Sequence, residues 1–214
     1  MSNNKRISSA AISRLFTYLR EVIELVNMNI RKISSSDLGS RLNLSDAQVR
    51  KDLGHFGQFG VSGSGYNTKQ LQAELEKILG KDKQWNIVVV GVGCLGSALM
   101  SYAGFNRHGL KIVAALDNDG SKIGNYLEGM KIESMEQVDL VVKQKNVSIA
   151  IMTIPAAHAQ VAADKLIESG VTCILNFAPI ALNVPNTVMV KNVDLSRELE
   201  TLSYFLANKA KVSS

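Results

Sequence analysis

The segment that most restricts the fold is Gly91-Val92-Gly93-Cys94-Leu95-Gly96, a G-x-G-x-x-G run directly behind the apolar stretch Ile87–Val90. Alone, such a triplet is a weak signal. Here it leaves a strand-like segment and opens a helix-like one, with Leu95, Leu99 and Met100 turned inward, which is the setting a phosphate-binding turn requires. In that setting Gly91 makes the tight turn, Gly93 lets a pyrophosphate approach the backbone, and Gly96 lets helix and strand pack closely. The helix N-terminus adds free N–H groups and a partial positive charge. A turn of this kind is usually completed by an acid about twenty residues on, at the end of the next strand. Asp117 ends Ala114-Ala115-Leu116 and lies 21 residues after Gly96. Its carboxylate would accept from the hydroxyls of an adenosine ribose and repel a 2′-phosphate, favouring NAD(H) over NADP(H). Asp119 competes for the same role, and an acid merely capping a loop is the plain alternative.

Downstream, strands and helices alternate. Strands are predicted at Ile87–Val90, Ile112–Leu116, Ile149–Ile154, Cys173–Asn176 and Thr187–Val190. Helices are predicted at Leu95–Phe105, Glu136–Gln144, Ala156–Glu168 and Ser196–Asn208. Continuously apolar strands separated by helices indicate a parallel sheet covered on both faces. The fold class is therefore α/β, with a Rossmann domain over residues 85–194 and a last helix, 195–211, beyond it.

The first eighty residues follow a different plan. Leu15, Phe16, Leu19, Val22, Ile23 and Val26 form a stripe at helical spacing over Ser13–Val26. The run Ile33-Ser34-Ser35-Ser36-Asp37 caps a short helix with Leu38 and Leu42 inward. Ser45 and Gln48 then form a capping box for a third helix holding Val49 and Leu53 inward. Two short helices around Leu42-Asn43-Leu44 have helix-turn-helix spacing. Gly54, Gly57, Gly60, Gly63 and Gly65 break the third helix, and Phe56, Phe59, Val61 and Tyr66 between them suit a two-stranded hairpin. Three helices and a hairpin make a winged-helix domain over residues 1–80, with a further helix at Thr68–Leu79.

Charge agrees with this division. Residues 1–53 carry nine Lys/Arg against five acids, while the rest of the chain is nearly neutral. A basic head on a neutral body suits a polyanion, although a solvated surface gives the same imbalance. No apolar run is long enough to span a bilayer, and the opening Met-Ser-Asn-Asn-Lys-Arg leads to no apolar h-region, so neither membrane nor secretory signal is expected. Cys94 and Cys173 form neither a CxxC nor a zinc pattern. A reducing cytoplasm and no metal are expected.

A hydride-transfer enzyme needs a proton donor or acceptor beside the nicotinamide. His55, His108 and His158 are the available histidines, and His158, in the first turn after Ile154-Pro155, is the one placed near a nicotinamide. With the small domain already committed to another architecture, the expectation is that the chain is not an enzyme. A small NAD-dependent dehydrogenase is the alternative, and a module for coenzyme A or ATP is a third reading.

The order of short motifs is more specific than any one of them. Arg14-Leu15, Tyr18-Leu19-Arg20, Ile33-Ser34-Ser35, Val49-Arg50-Lys51-Asp52-Leu53, Phe56-Gly57, Gly65-Tyr66-Asn67, the glycine turn, Tyr102, Gly104-Phe105, Ile154-Pro155, Asn176-Phe177-Ala178-Pro179 and Asn192-Val193-Asp194-Leu195 together resemble the Rex redox-sensing transcriptional repressors from Arg14 to about Leu206. The resemblance implies a homodimer that binds palindromic operator DNA and is released when NADH binds, reading the NADH/NAD+ ratio. It implies nucleotide contacts from the glycine turn (Gly91, Val92, Gly93, Cys94, Leu95, Gly96), Asp117, Tyr102, Phe105, Ile154 and Pro155. It implies DNA contacts from Arg14, Ser45, Gln48, Arg50, Lys51 and, in the wing, Ser62. Rex-like wings usually carry a cation where this chain has Val61-Ser62-Gly63-Ser64, which should weaken the hold on the minor groove. Arg20, Tyr102 and Asp194 match positions that exchange partners between the DNA-binding and NADH-bound forms, while Asp194 alone also reads as a helix cap. The apolar stripe Leu199, Leu202, Phe205 and Leu206 packs either on its own sheet or, as the resemblance implies, as a helix swapped onto the partner subunit.

Overall fold

The computed structural model describes residues 7–57, 59–61, 65–106 and 109–208. The chain divides into two compact units, Met1–Lys83 and Gln84–Ser214.

In the first unit, α1 (Ser9–Asn27) starts where the Ser8 hydroxyl accepts from the Ala11 N–H at 3.2 Å. It ends at Asn29, whose positive φ of 58° an asparagine tolerates. Its inward stripe, Leu15, Tyr18, Leu19, Val22 and Leu25, packs with Leu38, Val49, Leu53, Leu71 and Leu75 into one core. The predicted inward positions Phe16 and Val26 fall outside that stripe, and Phe16 is exposed.

β1 (Lys32–Ile33) leads to α2 (Ser35–Arg41), capped by Ser34, and α3 (Asp46–Gly54), capped by Ser45. The two helices meet closely because residue 39 is glycine: a Cβ there would stand 2.6 Å from the Leu44 carbonyl oxygen. β2 (Gly60–Val61) and β3 (Gly65–Asn67) form the expected hairpin, but the sheet has three strands, ordered β1-β3-β2. A two-residue strand between two helices has no periodicity to announce it. α4 (Thr68–Ile78) closes the unit, with Leu71 and Leu75 buried. Elements and order are those of a winged helix.

The second unit holds a seven-stranded sheet. Its strands are β4 (Trp85–Val90), β5 (Leu110–Asp117), β6 (Tyr126–Leu127), β7 (Met130–Ser134), β8 (Val147–Met152), β9 (Cys173–Asn176) and β10 (Met189–Asn192), in the order β10-β9-β8-β4-β5-β7-β6. All pairs are parallel except β6 with β7. Alternate residues of β4 enter different cores. Val88 and Val90 lie with Ala150, Met152, Val141 and Ala163, while Ile87 and Val89 lie with Ala115, Ile151 and Met100. Burial on both faces is why these strands read as unbroken apolar runs.

The connecting helices are α5 (Cys94–Met100), α6 (Val138–Gln144, after a 3-10 turn at Met135–Gln137), α7 (Ala156–Glu168) and α8 (Leu195–Ala207). Three expectations are corrected. The helix predicted to Phe105 stops at Met100. The Ser101 hydroxyl bonds back to the Ser97 carbonyl, and the chain turns so that Gly104 lies under the Tyr102 ring, where a Cβ would overlap it. The last strand lies two residues later than predicted, because a turn closed by the Val188 N–H on the Pro185 carbonyl occupies the preceding residues. The hairpin β6–β7 adds two strands to the five predicted. Its two turn residues, Glu128 and Gly129, both have positive φ, as a tight primed turn needs, but Glu-Gly is a weak sequence signal for one.

No helix among the described residues is long and apolar enough to cross a membrane. Leu195, Leu199, Leu202, Tyr204, Phe205 and Leu206 of α8 are all exposed and none of its residues is buried. Nothing among the described residues covers this stripe.

Candidate functional site

The strand order places β4 between β5 and β8: the chain runs outward from β4 through β5 to β7 and β6, then crosses back to β8 on the other side of β4, where the order reverses. In open α/β sheets ligands bind at that reversal, outside the carboxyl ends of the strands. The glycine turn sits there. Gly91 has φ +91°, and a Cβ on it would stand 2.5 Å from Ile154 Cγ2 and 2.8 Å from the Thr153 carbonyl oxygen. A Cβ on Gly96 would overlap the Gly91 carbonyl oxygen. Protein atoms thus require glycine at both positions. In front of Gly93 the space is open, and no side chain caps the N-terminus of α5, which starts at Cys94 beside exposed Leu95.

Asp117 organises this turn. One carboxylate oxygen accepts from the Val92 N–H at 2.7 Å and from Lys122 Nζ at 3.2 Å, and the other from the N–H groups of Asn118 and Asp119. Burial works to raise its pKa, but the two backbone donors Asp119 and Val92, with the Lys122 ammonium, outweigh it and hold the carboxyl below its ordinary value. Asp119 instead folds onto the Ser121 hydroxyl and N–H.

A crevice of about 210 Å³ joins Gly91, Asp117, Ile154 and Pro155 with Asn118, His158, Val161 and Lys165. It is smaller than pockets that enclose a drug-sized molecule and suits one end of a ligand. His158 lines the same crevice as Asp117, Ile154 and Pro155. Val161 and Lys165 were not foreseen; their one signal is i+3 and i+7 spacing from His158 along α7. Tyr102 and Phe105 are elsewhere. Their rings meet edge to face at 5.1 Å on a separate groove of about 390 Å³ with Met100, Lys111, Glu128 and Met130. Cys94 and Cys173 are both free thiols, and no group of three or more metal-ligating side chains occurs among the described residues.

In the first unit, Ser45 caps α3 by accepting from the Gln48 N–H at 3.1 Å. The predicted reciprocal bond of the capping box, from the Ser45 N–H to the Gln48 side-chain oxygen, is not made; the Gln48 side chain turns away and donates through Nε2 to Asp52 Oδ1 at 2.8 Å. Asp52 is 1% exposed and accepts three more bonds: Arg14 Nη2 on Oδ1 at 2.8 Å, and Arg14 Nε at 2.5 Å with the Tyr18 hydroxyl at 2.8 Å on Oδ2. This cluster ties α3 to α1 and was missed in the sequence, where Asp52 and Arg14 stand 38 residues apart. Burial opposes ionisation of Asp52, yet the bonds from Arg14, Tyr18 and Gln48 hold its pKa below the ordinary value. Burial first, and the bond to Asp52 second, push the Tyr18 phenol up.

Arg14 therefore has its fork committed inside the unit. Arg50 and Lys51 lie on the exposed side of α3, with Arg50 Nη1 held at 2.6 Å from Asp46 and 3.1 Å from the Ser35 hydroxyl. Arg20 is exposed on α1, and Asp194 caps α8 by accepting from the Ser196 and Arg197 N–H groups at 3.0 and 3.2 Å. Ser62, with the rest of the wing tip, and His108 lie outside the described residues.

Both units resemble known proteins. A family model for a CoA binding domain matches residues 82–180, and one for a putative DNA-binding protein N-terminus matches residues 6–54. The redox-sensing transcriptional repressor Rex of Syntrophomonas wolfei is 45% identical over 202 residues, 94% of this chain and 96% of the relative. That of Carboxydothermus hydrogenoformans is 46% identical over 199 residues, 93% and 96% of the two chains. Among solved structures, RSP in complex with β-NAD+ and operator DNA matches with a TM-score of 0.89 at 35% identity, covering 98% of this chain and 96% of that one. RSP in complex with β-NADH matches with a TM-score of 0.81 at 33% identity, covering 98% of each. Identity at this level along nearly the whole length, in relatives named as repressors and not as enzymes, means that this chain belongs to the Rex family of redox-sensing transcriptional repressors.

Proposed function

We propose that this chain is a cytoplasmic, dimeric repressor that binds palindromic operator DNA through residues 1–80 and NAD(H) through residues 85–194, and that NADH binding releases the DNA. The observation that carries the reading is the pairing, in one chain, of an exposed basic helix α3 on a winged helix with a glycine turn anchored on Asp117. RSP, of the same fold over 98% of this chain, has been solved with β-NAD+ and operator DNA and also with β-NADH.

The residues present fit the dinucleotide. Backbone amides of Gly93, Cys94, Leu95 and Gly96 are free to meet the phosphates, those of Gly91 and Val92 shape the turn by donating to the Leu116 carbonyl and Asp117, and Asp117 is proposed to face the adenosine ribose. Of the four donors on Asp117, Lys122 at 3.2 Å is the longest and comes from a side chain where the other three are backbone N–H groups, so it is the partner a ribose hydroxyl replaces. Ile154 and Pro155 offer apolar surface in the crevice beside Asp117, and Tyr102 and Phe105, on their separate groove, are the aromatic groups proposed to meet the nicotinamide. An oxidised nicotinamide is a cation and costly to bury unpaired, whereas the reduced ring is neutral. NADH can shift the dimer only by its difference in affinity for the two arrangements. Arg20, Tyr102 and Asp194 are the groups proposed to exchange partners, and the uncovered stripe of α8 (within 195–211) is proposed to pack on the partner subunit.

On DNA, Arg50 and Lys51 reach base edges or phosphates and Ser45 and Gln48 flank them; Ser62 and the free nitrogen of Arg14 are proposed as further contacts. A gel shift titrated in parallel with NADH and NAD+ tests the reading. NADH should release the duplex at concentrations where NAD+ leaves it bound. DNA binding indifferent to NADH would defeat the proposal.

A further inference from the structure

Asp52 is filled. Each of its two oxygens accepts two bonds, from Arg14 and Gln48 on one and from Arg14 and Tyr18 on the other. A carboxylate has no proton to give, so Gln48 must turn its nitrogen toward it. With Nε2 held 2.8 Å from Asp52 Oδ1, the other end of the amide is the carbonyl oxygen. Among the described residues nothing donates to that oxygen. Gln48 is half-buried in the first turn of α3 and lines a groove of about 320 Å³ together with Lys51, His55 and Arg14.

An unrestrained glutamine can turn its amide over and offer either an acceptor or a donor in a given direction. Gln48 cannot do so without setting its carbonyl oxygen against the Asp52 carboxylate, acceptor against acceptor. In the major groove adenine and cytosine present an exocyclic amino group, whereas guanine and thymine present keto oxygens. We propose that Asp52 makes Gln48 an acceptor of fixed direction, so that it selects adenine or cytosine over guanine or thymine at one position of each half-site. This rests on the reading of α3 as the DNA-facing helix. Asp52 is then a positioning residue for base readout, in addition to tying α3 to α1.

The test equilibrates the full-length protein with duplexes randomised over two helical turns and sequences the bound fraction. The wild type should show, in each half-site, a position where amino-bearing bases outweigh keto-bearing ones about tenfold or more. Gln48→Ala should flatten that position and leave the others unchanged. Gln48→Met, of similar length but without an acceptor, should flatten it too. Asp52→Asn frees the amide to turn over and should relax the same position. An unchanged preference in Gln48→Ala or Gln48→Met overturns the proposal. So does an Asp52→Asn protein that melts as a folded unit yet weakens on all sequences alike. If that variant does not fold, the two Gln48 variants decide. A wild type that enriches no sequence overturns the DNA-binding reading itself, which is a separate result.

Discussion

Removing one buried hydroxyl measures what the Arg14–Asp52–Tyr18–Gln48 cluster contributes. Tyr18 is fully buried and donates to Asp52 Oδ2 at 2.8 Å. Tyr18→Phe keeps the ring and leaves a gap of one oxygen. A hydrogen bond to a charged group contributes about 1.5–3 kcal/mol. Oδ2 retains Arg14 Nε at 2.5 Å and is not left unpaired, so the lower end of that range applies, about 1.5 kcal/mol. For a unit of this size the midpoint of melting should fall by about 6–12 °C. The loss should also depend on pH. The folded-state pKa of Asp52 is depressed, so its contribution is present above the ordinary carboxylate pKa and is lost as pH falls below about 4. The gap between wild type and Tyr18→Phe should narrow over the same range. Urea unfolding followed by far-UV circular dichroism reads the helix-rich first unit, while Trp85, the single tryptophan, reports on the second. A loss below about 0.5 kcal/mol at neutral pH, the level of an ordinary surface substitution, would refute the charge-assisted bond.

Asp117→Ala removes the acceptor of the Val92 N–H and the proposed ribose contact, and should weaken NADH about tenfold to a hundredfold by fluorescence titration; unchanged affinity would remove Asp117 from the site. Gly96→Ala sets a methyl group against the Gly91 carbonyl oxygen, and should cost about 1–3 kcal/mol in urea unfolding and abolish nucleotide binding. Arg50→Ala should weaken operator binding about tenfold or more with NADH affinity intact, and a normal gel shift would exclude the role. Ending the chain at Asp194 removes the exposed stripe of α8 and should yield monomers in sedimentation; an intact dimer would show that the contact lies elsewhere.

The glycine turn, its acid and the alternation of strands and helices were legible because each rests on local rules. Gly91 and Gly96 are dictated by backbone crowding, and β4 and β8 are apolar throughout because both their faces are covered. Ser34 and Ser45 mark helix starts because a hydroxyl there accepts from an N–H three residues on. Elements with little local pattern were missed. β1 is two residues long and is held by pairing with β3, and β7 follows a turn of unusual composition.

What the sequence determined by itself was two domains, their order and the chemistry of the phosphate turn, since strand, helix and turn preferences act over a few residues. Tertiary structure decided which side chains meet. It brought Asp52 to Arg14 and Tyr18 across more than thirty positions, turned Gln48 away from the cap it was expected to close, and gathered Asp117, Ile154 and His158 around one crevice. Those outcomes depend on helices folding back on one another and on the strand order, and sequence spacing carries neither.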